Sequence, residues 1–289
     1  MIIDTHSHVN FNAFKEDSLE VLKNTLRNNT WVVMPGSQLT TSERAIRLAE
    51  QFPEGVYAAV GLHPIHLEER KIDVQEVQSE NVTEKKWMTF ETRGEVFEYE
   101  KYKALAQSKK VVAIGEVGLD YYYEPKGKAR KEAYRARQKE TLIQQINLTL
   151  ELSLPVIFHC RVAHDDLLSL LKERYKGTHL KGVLHSYTGT VEQAQKFLAL
   201  GLYFGFNGLI FKNIAALPNP EEVISSIPLD RIVLETDSPY LVPPQAKVER
   251  NEPLFVQYVA EEVARIKKAN LQDISDTTTA SARTLFCLR

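Results

Sequence analysis

Residues 1–8 read MIIDTHSH, and the way this run ends separates two folds. The segment 1–5 is apolar-led and strand-like, and it runs straight into His6 and His8. An open doubly wound sheet normally places a glycine-rich phosphate turn after its first strand. Here that place is held by His-x-His, which favours the other repeated α/β architecture, a closed (β/α)8 TIM barrel.

Seven more strands follow from the same reading, at 31–34, 56–61, 111–115, 156–158, 182–184, 202–206 and 232–235. All are nearly unbroken apolar runs, as expected of parallel strands covered on both faces. Between them lie helical patterns at 18–27, 41–52, 133–152, 165–175, 191–200 and 254–268. The stretch 64–110 is too long for a simple connection, and its middle, 71–100, is charged and carries Trp87, Phe90, Phe97 and Tyr99. Long connections in compact domains usually have a function or their own structure. We read 71–100 as a surface insertion able to act as a lid on a single domain spanning 1–289.

The 289 residues include 36 Lys and Arg against 38 Asp and Glu, so any polyanion must be bound locally and not by a basic coat. Two cysteines, Cys160 and Cys287, cannot build a disulfide framework, which suggests a reducing, cytoplasmic location. The N-terminus does not read as a secretory signal, and no run approaches the roughly 18 apolar residues of a membrane span. No membrane contact and no obligate protein partner are expected.

Five histidines, His6, His8, His63, His159 and His185, fall at or just after expected strand ends, joined there by Glu116 and Asp237. Taken singly, each has an ordinary structural reading: His159 as a core histidine, Asp237 as a turn residue, Glu116 as a loop acid. Together they converge, because the C-terminal strand ends of a barrel share one mouth. Imidazole and carboxylate are both ligands for divalent transition metals. His6 and His8, two apart in extended chain, can grip one ion together. Glu116 has two oxygens and is the natural bridge between two ions, an arrangement that clamps the attacking and leaving oxygens of a phosphodiester.

The motifs DTHSH (4–8), GLHP (61–64), GEVGLDYY (115–122), HCR (159–161), HSYTG (185–189), LETDSPYL (234–241) and RNEP (250–253) resemble, in order, those of the TatD family of metal-dependent deoxyribonucleases. The resemblance runs from position 2 to about 287. It implies an amidohydrolase-like TIM barrel, a divalent-metal site and hydrolysis of DNA phosphodiesters, often as a 3′-5′ exodeoxyribonuclease acting on single strands or 3′ ends. By the same resemblance His6, His8, Glu116 and Asp237 hold a first metal, and Glu116, His159 and His185 a second. His63 is then a histidine that faces the substrate phosphate without ligating. The chain departs from the family in the length of 71–100, in Ile65 standing before His66, and in the weakly basic AKVE preceding RNEP.

These assignments lead to expected roles. A metal-activated water is the nucleophile, Asp237 takes its proton, and Glu116 and His63 complete the catalytic set. Arg161 clamps phosphate through its forked donors, and Asp4 orients a ligand histidine. Asp166 and Glu252 read as structural. The basic stretch KGKARKEAYRAR (126–137), directly after Tyr121, Tyr122 and Tyr123, could track a nucleic-acid backbone while Tyr121 stacks on a base. Four imidazoles suit Zn, Mn, Fe or Co, whereas family enzymes are commonly described with Mg. Two other classes remain open. One is a metal-dependent ester or amide hydrolase such as a D-aminoacyl-tRNA deacylase. Many barrels of that kind bridge with a carboxylated lysine where this chain has Glu116. The other is a non-catalytic metal-binding scaffold.

Overall fold

The computed structural model describes residues 1–73 and 89–288. Eight parallel strands close a barrel: β1 (Ile2–Asp4), β2 (Thr30–Pro35), β3 (Val56–Val60), β6 (Val111–Asp120), β7 (Val156–Arg161), β8 (Gly182–Leu184), β9 (Tyr203–Phe206) and β10 (Ile232–Leu234). β1 pairs with both β2 and β10, which completes the closure. The remaining two strands, β4 (Glu69–Asp73) and β5 (Thr89–Arg93), form a separate antiparallel pair. They flank the centre of the expected insertion, where 74–88, with Trp87 and any lid function, lies outside the described residues.

The barrel strands alternate between two cores, except in β6, where Val112 and Ala113 both join the inner one. Ile3, Val33, Ala59, Ala113, Ile157, Val183 and Val233 point inward and pack together, while their neighbours Val32, Ala58, Ile114, Phe158, Leu184 and Leu234 belong to the layer under the helices. Fully burying a Val, Leu, Ile or Phe side chain contributes about 1.5–3 kcal/mol, so this double layer is the main source of stability. The inward pattern also explains the mouth. Stepping two residues on from Ile157, Val183 and Val233 reaches His159, His185 and Glu235.

Helices α1 (Ser18–Arg27), α2 (Leu39–Ala49), α4 (Lys128–Leu152), α5 (His164–Tyr175), α6 (Val191–Leu198) and α8 (Val256–Lys267) match the expected helical segments within a few residues. Three further helices were not anticipated: α3 (Tyr99–Leu105), α7 (Pro220–Ser226) and α9 (Leu271–Phe286). α9 is rich in Ser, Thr and Asp, which are poor helix formers. Its Ala282, Leu285 and Phe286, with Leu288 just beyond, pack on the inward residues of the barrel and so supply what propensity does not. Asn270 starts it, its side chain accepting from Asp273 N–H at 2.8 Å.

Two strands run further than the apolar signal indicated. β6 continues through Glu116 to Asp120 and β7 through His159 to Arg161, so Glu116 and His159 lie inside strands and not after them. Helix α4 fixes the neighbouring strand ends with two glutamines. Gln145 takes Leu62 N–H and donates to Leu62 C=O at 2.8 and 3.0 Å. Gln138 does the same to Asp120 at 2.8 and 3.0 Å. No described helix is long and apolar enough to cross a membrane.

Candidate metal centre

The mouth brings His6, His8, His63, Glu116, His159, His185 and Asp237 to one place, and Glu116 stands at its centre. Its two oxygens divide the histidines. Oε2 faces His6 Nε2 at 3.3 Å and His8 Nε2 at 3.6 Å. Oε1 faces His159 Nδ1 at 2.8 Å, His63 Nε2 at 3.4 Å and His185 Nε2 at 3.7 Å. Opposite, Asp237 Oδ1 lies 3.5 Å from His8 Nε2 and 3.9 Å from both His6 Nε2 and His185 Nε2. Three overlapping sets have donor atoms within 4.8 Å of one another: His6, His8 and Glu116; His6, His185 and Asp237; His63, Glu116 and His159.

The surrounding bonds set which ring nitrogen is available. His8 Nδ1 lies 3.2 Å from Pro35 C=O, an acceptor, so its Nε2 carries a lone pair. That nitrogen sits 3.1 Å from His6 Nε2. Two nitrogens sharing one ion with bonds of about 2.0–2.1 Å are about 3.0–3.4 Å apart, so the pair is spaced for a common cation. His159 Nε2 faces Asp120 Oδ2 at 3.2 Å and presents Nδ1 to the centre. His185 Nδ1 lies 2.9 Å from Glu235 Oε1, off the axis of a good hydrogen bond but within ion-pair range. His63 differs: its Nδ1 accepts from Ile65 N–H at 3.1 Å, which leaves Nε2 as an N–H donor and not as a ligand lone pair.

Asp4 accepts from His6 N–H and Thr236 N–H through Oδ1, at 3.2 and 2.9 Å, and from the Thr236 hydroxyl through Oδ2 at 2.6 Å. It therefore positions the main chain of His6 and not the ring. Asn251, in the RNEP motif, donates to the Thr236, Tyr240 and Leu241 carbonyls and ties down the loop that carries Asp237. Asp237 itself holds φ 56°, one of several left-handed residues where strands turn away at the mouth, with Val162 at 57° and Ser186 at 46°.

Electrostatics support cation binding. Burial alone would raise the Glu116 carboxyl, but His63, His6 and His185 outweigh it and hold the group well below its usual range. Asp237 is likewise lowered against burial, chiefly by His185 and His8. Burial would lower His159 and His185, yet Asp120 and Glu116 lift His159 to about 9, and Glu235, Glu116 and Asp237 lift His185 to about 10. Burial and His185 push His6 down to about 4. Among the described residues, the groups in ion-pair range of Glu116, Asp120, Glu235 and Asp237 are all imidazoles. Four acids at the mouth whose cationic partners are all imidazoles suit divalent ions, which would displace protons from the rings.

The other expected contacts divide. Arg161 stacks on Tyr122, its guanidinium carbon 3.6 Å from the ring centroid and 5.4 Å from that of Tyr123. Tyr121 is not at the open mouth: it is buried, its hydroxyl donates to Asp166 at 2.7 Å, and Arg135 covers its ring at 4.4 Å. Much of the 126–137 stretch is already engaged. Lys131 and Arg135 pair with Glu124, and Arg137 reaches Glu68. Asp166 pairs with Lys139 and Glu252 with Arg250, both structural as expected. Asp120, Glu235 and Asn207 escaped the sequence reading. A signal for Glu235 existed, since it lies two residues beyond the inward-pointing Val233, just past the end of β10.

A family model described as TatD related DNase matches residues 3–287. The chain is 34% identical to the uncharacterized metal-dependent hydrolase YabD of Bacillus subtilis (strain 168) over 288 residues, covering 99% of each chain. It is 32% identical to the 3′-5′ ssDNA/RNA exonuclease TatD of Edwardsiella piscicida over 264 residues, 89% of this chain and 88% of that one. Among solved structures, the TatD homolog YJJV of Escherichia coli k12 superposes with a TM-score of 0.80 at 27% identity, covering 100% of this chain and 98% of that one. With its closed parallel barrel and histidine–carboxylate mouth, the chain belongs to the TatD family of metal-dependent hydrolases.

Proposed function

We propose that this protein hydrolyses phosphodiester bonds of single-stranded nucleic acid, removing nucleotides from the 3′ end. His6, His8, Glu116 and Asp237 would hold one divalent ion, and Glu116, His159 and His185 a second. The observation that carries the reading is the division at Glu116, with His6 and His8 on one oxygen and His159 and His185 on the other. Ions bound there would lower the pKa of a water molecule and neutralise phosphate charge.

The chain's own residues supply the rest. The Asp237 side chain is 18% exposed against 6% for Glu116, which supports Asp237 as the carboxylate that would accept the proton of an attacking water. His63 offers an Nε2–H donor to a non-bridging phosphate oxygen, where charge grows in the transition state. Arg161, held flat by Tyr122, keeps its N–H edge for a phosphate, and no described residue takes a hydrogen bond from it. The name of the Edwardsiella relative, an exonuclease of single-stranded DNA and RNA, supports the substrate class.

The test uses metal-reconstituted protein with end-labelled single-stranded DNA, and in parallel an aminoacyl-tRNA. A ladder shortening from the 3′ end, lost with chelator and in Glu116→Ala, supports the proposal. Release of the amino acid from an intact polynucleotide would overturn it in favour of a deacylase.

A further inference from the structure

Beside His185 lies a cavity of about 690 Å³ that the scheme above leaves unused. It is lined by the loops that follow β8 and β9 together with residues of α7 and α8, and Ser186 and Asn207 are part of that lining. These two residues tie it to the metal centre through one carboxylate. Ser186 N–H and Asn207 Nδ2 donate to Glu235 Oε1 at 2.7 and 3.1 Å, and the same oxygen lies 2.9 Å from His185 Nδ1. Part of the cavity lining is thus one side chain away from a proposed ligand.

The lining indicates what would fit. Phe211, Ile214 and Leu217 give an apolar wall, with the amides of Asn213 and Asn219 at exposed positions on the same loop. Charge is sparse: Lys212 is the one cation among the described lining residues, and the acids Glu221 and Glu262 both pair with Arg265. Such a surface is poor for a phosphate and well suited to a flat heteroaromatic ring with hydrogen-bonding edges. The volume is within the range of small-molecule pockets, about 300–1,000 Å³, and is sufficient for a nucleoside.

Resting on the phosphodiesterase reading, we infer that this cavity receives the base of the terminal nucleotide, unstacked from its strand, and so seats the scissile phosphate over Glu116. A paired base cannot enter without leaving its helix, which makes the cavity a selector for single-stranded ends.

The test compares two oligodeoxynucleotides that differ only in whether the 3′-terminal residue has a base or is abasic. The base-bearing strand should be favoured at least about fivefold in kcat/KM, mainly through KM, as expected when stacking on an apolar wall is gained. Asn213→Trp and, separately, Leu217→Trp, which fill the cavity, should bring the ratio towards one. A second readout needs no turnover: a strand with a fluorescent aminopurine at its 3′ end should change its emission on binding metal-free protein, and the change should be lost in both variants. A wild-type ratio near one, or a ratio and emission change that survive both variants, would overturn the inference. If neither strand is cleaved, the phosphodiesterase reading fails, while the aminopurine signal still decides whether a base enters the cavity.

Discussion

Gly205 gives the sharpest test of how the candidate metal centre is supported. It lies on β9 opposite Val233 of β10, two residues before Glu235, and one step past the Phe204–Leu184 pair, beside His185. A Cβ added there would fall 2.7 Å from Glu235 Cδ and 3.1 Å from Oε1, and closer still to Oε2. The carboxylate has little room to retreat, because Glu235 is buried and held by Ser186 N–H, Asn207 Nδ2 and His185. Gly205→Ala must therefore displace Glu235 or the strand. Overpacking of this kind costs about 1–3 kcal/mol, and each kcal/mol lowers Tm by about 2–4 °C in chains approaching this size. Loss of the carboxylate behind a ligand histidine typically weakens metal binding about 10–100-fold. Calorimetric titration of chelator-treated protein with Zn or Mn would measure the second effect, and a melting curve without metal the first. The double variant Gly205→Ala/Glu235→Ala removes the overlap, so its stability loss should be smaller than the sum of the single losses. Wild-type metal affinity and Tm in Gly205→Ala, or strictly additive losses in the cycle, would refute the reasoning.

Three further outcomes are expected. Tyr121→Phe removes the bond to Asp166 and should cost about 1 kcal/mol of stability while leaving KM for a DNA strand unchanged; a raised KM would return Tyr121 to the substrate. Burial would raise Asp166, but Lys139 and the Tyr121 hydroxyl hold it below its usual value, so it stabilises the fold above the ordinary carboxylate range and ceases to as pH falls through its lowered pKa. Asp166→Asn should then flatten the acid limb of a Tm–pH curve, and an unaltered limb would show that the pairing contributes nothing. In metal-free protein, Asp120→Asn should bring His159 down from about 9 towards 6.5, followed by NMR; a pKa that stays near 9 would assign the shift to Glu116 alone.

The barrel was legible because buried parallel strands are written as apolar runs, and the histidines were legible because they follow those runs. Glu116 and His159 fall where the apolar signal stops but the strand ladder continues, so their chain position was read correctly and their place inside a strand was not. α9 was hidden by its composition, since its stability comes from the barrel floor and not from its own propensity. Asp120 and Glu235 look like ordinary acids in the sequence; only closure of the barrel puts them behind His159 and His185. The basic run at 126–137 could be read as a nucleic-acid track or as a solvated helix start, and Glu124 and Glu68, unremarkable in the sequence, hold three of its cations.

Helix α4 has a mechanical consequence. Its two amide side chains clasp both main-chain groups of Leu62, next to His63, and of Asp120, behind His159, through four hydrogen bonds. Spreading the rim on that flank would break buried bonds at two places at once, so His63 and Asp120 form a fixed jaw. Among the described strands, β8 and β9 on the far flank are short and hand over to longer loops, without such a clasp from α4.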